Sequence, residues 1–123
     1  MRSLKELPCR LLDEINLLTP VLLSYDNIQK YNPKFYLFGS FAKACITVDS
    51  DIDILLLLDD TQYALSKRDI VDIRYDLESY ILDNYHMRDI DIKIYTTSRF
   101  NYIIENNKQS FEYFISKYMI ALN

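Results

Sequence analysis

Glycine is nearly missing from this chain: Gly39 is the only one among 123 residues. A lone glycine at the end of a strand-like run marks a backbone position that a side chain would obstruct. Cysteine is scarce too, with Cys9 and Cys45 set far from metal-type spacing. They read as small buried hydrophobes in a reducing compartment. Positive charge is in short supply, at 14 Lys and Arg against 18 Asp and Glu. That balance offers no broad basic surface for a long phosphate backbone, which argues against a nucleic-acid substrate. The longest purely aliphatic run, Ile54 to Leu58, is far too short to span a bilayer. The opening MRSLKELPCRLLDE has no apolar signal-peptide core. A soluble, cytoplasmic protein is expected. The single histidine, His86, lies in a connection and has no ligand set around it.

What is present is ordinary globular material, 50% apolar and 26% charged, with eleven tyrosines. The length suits one domain over residues 1–123 with one real core. Within it the reading gives N-terminal helices over 1–30, a sheet core over 34–95 and C-terminal helices over 97–122. Leu11, Leu12, Ile15 and Leu18 recur at helical spacing, which predicts a first helix from Pro8 to Leu18. Thr19-Pro20 then reads as N-cap and first residue of a second helix carrying Val21, Leu22, Tyr25 and Ile28. Lys34–Phe38 is a short β-rich run into Gly39. Asp51–Leu58 is a second strand, almost unbroken in apolar residues after Asp53 and hence covered on both faces. Ser66 and Asp69 make a capping signal for a helix with Ile70, Ile73, Leu77, Ile81 and Tyr85 on one stripe. Asp89–Tyr95 alternates strictly, and Thr97 or Ser98 caps a short helix. A last helix is expected from Ser110 to Leu122, because Phe111, Phe114, Ile115, Tyr118, Met119 and Leu122 keep its period. The fold class is α/β (α+β), a single small mixed sheet packed with helices.

The chemistry concentrates between Phe35 and Asp60. Asp51 and Asp53 stand two apart on a strand, so their carboxylates point to one side, about 7 Å apart at the backbone. Carboxylates held this close need a compensating cation to stay ionised. Oxygen-only donors suit Mg²⁺. A third carboxylate from a neighbouring strand would complete the set, and DIDIKIY offers Asp89 and Asp91. Two such ions on three carboxylates recur in phosphoryl and nucleotidyl displacement. Aspartates at a strand start are also common as solvated ends or turn formers. The Gly39-Ser40 turn tips the balance, since small-residue turns hold phosphate oxygens with their backbone N–H groups and hydroxyls.

Gly39-Ser40, ten intervening residues and then Asp51-Ile52-Asp53 resemble the GSx10DxD signature of the minimal nucleotidyltransferases, within the DNA polymerase β-like superfamily. Leu37 to Ala42 is similar to the family's LFGSxA, Ser50 to Asp53 to its SDID, and Asp91 to Tyr95 to the strand bearing its third acid. The resemblance implies a polymerase β palm-like fold and transfer of a nucleoside monophosphate, AMP from ATP, to an acceptor hydroxyl. It implies Gly39, Ser40, Lys43 and Ser50 for the triphosphate, Asp51 and Asp53 for two Mg²⁺, and Asp91 for metal and base. Asp91 is preferred to Asp89 because it occupies the family's hDhhhY position. Free-standing domains of this size in the family are often antitoxins that adenylylate a HEPN-type toxin on tyrosine, which implies a protein acceptor.

Two departures stand out. Where the family continues Ala-Arg-Gly, this chain has Ala42-Lys43-Ala44. Lys43 keeps the charge but loses arginine's bidentate fork. Ala44 removes an easy left-handed turn. Lys93, beside the third acid, reads as a solvated strand residue rather than a phosphate contact. Two further readings stay open: a degenerate, antitoxin-like module that neutralises a partner by contact, and an antibiotic adenylyltransferase needing a partner subunit. A homo-oligomer is also open.

Overall fold

The computed structural model describes residues 9–39 and 51–123, with side chains from residue 12 onward in the first segment. Helix α1 spans Cys9–Leu23 and a 3-10 helix spans Asp26–Tyr31. Strand β1 is Lys34–Phe38 and β2 is Ile52–Leu58. Helix α2, Lys67–Asn84, connects β2 to β3, Ile90–Thr96. Helices α3, Thr97–Asn106, and α4, Phe111–Ser116, lead to a two-residue strand β4, Ile120–Ala121. Among the described residues the strands make one mixed sheet in the order β3-β2-β1-β4. β1 runs antiparallel to β2 and β4, whereas β2 and β3 are parallel. A parallel neighbour needs a long crossover, and α2 supplies it. No helix among the described residues is long and apolar enough to cross a membrane.

Strand alternation sorts the apolar residues into two layers. Ile52, Ile54, Leu56 and Leu58 of β2 join Phe35 and Leu37 of β1 and Ile92 of β3 against Ile15, Leu18 and Leu22 of α1 and Leu77 and Ile81 of α2. On the opposite face a smaller layer gathers Phe38, Leu55 and Leu57 against Phe100 of α3 and Ile115 of α4. β2 is therefore buried on both faces, as its unbroken apolar run requires. The capping box at the head of α2 forms as its residues predict: Ser66 Oγ accepts from Asp69 N–H at 3.1 Å, and Asp69 Oδ2 from Ser66 N–H at 2.9 Å. The helix is tied to the N-terminal segment by polar contacts. Ser24 Oγ and Tyr80 Oη are 2.6 Å apart, and Asp76 accepts from the Tyr25 hydroxyl and, at 3.0 Å, from Asn27.

Four sequence expectations need correction. The two N-terminal helices are one, because α1 runs through Pro20. Pro20 and Asn16, whose carbonyl the proline ring deprives of a donor, are both exposed, so water can serve that carbonyl. Thr19 does not cap a new helix; its hydroxyl donates to Ile15 O at 2.9 Å. The helix instead ends at Leu23, and Ile28 is buried from the 3-10 helix. Thr96, not Thr97 or Ser98, caps α3, accepting from Arg99 N–H at 3.3 Å. Helix α4 stops at Ser116, and the chain beyond it becomes an edge strand. Ile120 and Ala121 pair with Leu37 and Tyr36, and Leu122 N–H donates to Phe35 O at 2.9 Å. Asn123 then accepts from Phe35 N–H at 2.8 Å and donates to Pro33 O at 2.9 Å. Pairing the backbone groups of β1 outweighs continuing a marginal helix.

Candidate active site

The candidate site lies at the end of β1, beside Gly39. Phe38 is the cross-strand partner of Asp53, and Asp53 is in turn the partner of Asp91. Partners across a sheet share a face, so these three side chains form one row. Asp51 stands just before β2 and is exposed. Asp89 is exposed as well, and its carbonyl accepts from Ile52 N–H at 3.0 Å, so its part in the sheet is carried by the backbone. Register thus sets Asp91, rather than Asp89, beside Asp53.

Gly39 closes the row. Its φ of +71° is left-handed, and a Cβ built there would meet Asp53 Oδ2 at 2.1 Å. A side chain there would adopt a strained left-handed backbone and displace the Asp53 carboxylate, so the glycine serves both its own conformation and the acid lying against it. Of the other phosphate candidates, Ser40, Lys43 and Ser50 lie outside the described residues, as do Ala44 and Cys45.

Electrostatics singles out Asp53. Its carboxyl is pushed up to about 6, first by burial and then by the negative charges of Asp91 and Asp51; Lys93 opposes this. Among the described residues, Lys93 and Arg74 are the cations that approach these carboxylates. Arg74 reaches from α2 past the edge strand, bonding Glu78 at 3.0 Å and approaching Asp91 at 3.9 Å. Pairs this exposed are weak. Sequence reasoning missed Arg74, because nothing in the chain's spacing says that α2 packs beside β3 with this side chain turned to its edge.

The donors suit a hard divalent cation: carboxylate oxygens, one of them half-buried and crowded by like charge. As they stand, no three His, Cys, Asp or Glu side chains among the described residues are gathered into a metal-holding group. Asp91 leans toward Arg74, Asp53 rests against Gly39, and Asp51 is coupled to Asp53 through its charge. A cleft of about 860 Å³ lies elsewhere, between α2 and the start of β3; Asp51, Tyr85, His86, Arg88 and Asp89 line it, but Asp53 and Asp91 do not.

A mixed sheet thus sets a left-handed glycine at a strand end against a carboxylate pair drawn from two adjacent strands. Residues 17–116 match the family model described as polymerase beta, nucleotidyltransferase, and the chain belongs to that family. It is also similar to a crystal structure of a toxin-antitoxin with AMP-PNP, at 21% identity and a TM-score of 0.47, over 89% of this chain and 72% of that one. No curated protein sequence matches it.

Proposed function

We propose that the protein is an Mg²⁺-dependent nucleotidyltransferase that moves AMP from ATP to a hydroxyl on a partner protein, such as a HEPN-type toxin. The observation that carries this reading is the Asp53 carboxylate, side by side with Asp91 and lying against the left-handed Gly39. Such an arrangement aims charge at a turn whose backbone can receive phosphate oxygens. Asp51, Asp53 and Asp91 would hold the ions, and Gly39 with Ser40, Lys43 and Ser50 the triphosphate. When bound, Mg²⁺ supplies charge neutralisation for the triphosphate. Asp91 accepts the proton of the acceptor hydroxyl. The hydroxyl oxygen then bonds to the α-phosphorus, whose bond to the bridging oxygen breaks, and pyrophosphate leaves with that electron pair. The identity of the acceptor follows from the family resemblance alone.

The test is isothermal titration of the protein with ATP, with and without Mg²⁺, beside Asp53→Ala. Metal-dependent binding that the variant loses while staying folded is the expected result. Unchanged binding in the variant would remove Asp53 from the site, and no nucleotide binding by the wild type would favour neutralisation by contact.

A further inference from the structure

One aromatic ring borders the carboxylate row without serving the core. Phe111, the first residue of α4, is 49% exposed. Its centroid lies 6.1 Å from that of Phe38, with the planes at 75°. An edge-to-face contact of this kind holds a ring while leaving aromatic surface open. Lys93 Nζ stands 5.9 Å from the Phe111 centroid. Both neighbours belong to the site: Phe38 precedes Gly39 and pairs with Asp53, and Lys93 follows Asp91 by two residues on the same strand face. The ring is also held in place. Tyr95 Oη donates to Glu112 Oε1 at 3.0 Å, Ser110 Oγ caps the helix by accepting from Tyr113 N–H at 3.0 Å, and Ile115 is buried beneath. An exposed, fixed aromatic face next to a cation and a carboxylate pair fits a ligand that is planar at one end and anionic at the other.

We propose that Phe111 is the platform on which the nucleotide's base stacks, with Lys93 supplying positive charge between the ring and the carboxylates. The inference rests on the nucleotidyltransferase reading above and adds to it a subsite for the base. Stacking on an aromatic ring accepts every base, because each has a π face. Purine triphosphates should therefore bind more tightly than pyrimidine ones, through larger overlap, with no base excluded.

The chain has no tryptophan, so Phe111→Trp installs a sole tryptophan at the platform, read apart from the tyrosines by red-edge excitation. With Mg²⁺ present, ATP should quench it, whereas inorganic tripolyphosphate, which has the charge but no base, should not. In calorimetry Phe111→Leu, which keeps apolar packing on Phe38, should weaken ATP about tenfold and leave tripolyphosphate unchanged; Phe111→Tyr should restore ATP affinity. Equal ATP affinity in Phe111→Leu, or no quenching where calorimetry shows ATP bound, overturns the platform but not the phosphate site. Failure of the wild type to bind either ATP or tripolyphosphate overturns the nucleotide reading, and the platform with it.

Discussion

Leu37, Ile54 and Ile92 form one row across the sheet, and Phe38, Asp53 and Asp91, a single residue away along each strand, form the next. The first row faces α1 and α2 and is at most 1% exposed. The second faces α3 and α4 and carries two carboxylates, one of them pushed up to about 6 by burial and like charge. The strands are the same and the pleat alone separates the rows. A half-buried acid crowded by like charge is destabilising, and the sheet carries it on one face while the other packs the larger share of the buried apolar side chains. Stability and chemistry are thus divided between two faces of one element, with β2 belonging fully to both.

Substitutions can break this division in graded ways. Ile54→Ala, in the inner row, should cost about 2–5 kcal/mol by leaving a cavity where the site can collapse only partly. Urea unfolding would show it as a lowered midpoint, while ATP affinity of the folded fraction should hold. Gly39→Ala acts on the other side of the division. A left-handed alanine costs about 1–2 kcal/mol, and its Cβ would strike Asp53 Oδ2. The comparison predicts a modest loss of stability with a disproportionate loss of Mg²⁺-dependent ATP binding. Normal ATP binding in that variant would show that the carboxylate's position against Gly39 is dispensable.

The smallest effect is a slope. Asp53 has its folded-state pKa raised from 3.8 to about 6. Below pH about 4 the group is neutral in both states and contributes nothing. As pH rises toward 6 the unfolded chain releases this proton more readily than the folded one, so stability falls, and above 6 the whole penalty is present. Asp59, Asp69 and Asp76 are shifted the opposite way by hydrogen bonds from Thr61, Ser66 and Tyr25, so their contribution is lost on acidification. Comparing the wild type with Asp53→Asn separates the two trends. The variant's Tm advantage should open between pH about 4 and 6 and stay level above. An advantage independent of pH would contradict the coupling of Asp53 to its neighbours.

Much of this was legible in the chain. Lys34–Phe38 and the apolar run after Asp53 read as strands because their composition leaves no other use for them, and the Ser66/Asp69 pair announced α2 through purely local hydrogen bonds. The C-terminus misled for a physical reason. Tyr118 to Leu122 keeps a helical period through Phe111 and Ile115, yet a short apolar run also suits a strand, and periodicity cannot choose between them. What chose was the open edge of β1, about 80 residues earlier in the chain. Pro20 misled similarly, since an exposed position lets a helix carry a proline that its type alone would place at a start.

By itself the sequence determined the family: Gly39-Ser40 and Asp51-Ile52-Asp53 stand at the spacing of its signature, and residues 17–116 match the family model. Tertiary structure decided which groups meet. The parallel register of β2 and β3 set Asp91 rather than Asp89 beside Asp53, the packing of α2 sent Arg74 around the sheet's edge, and the seating of α4 brought Phe111 against Phe38. Each of these is a contact between residues far apart in the chain, fixed by register and burial, and neither quantity is written in the spacing of the residues that make it.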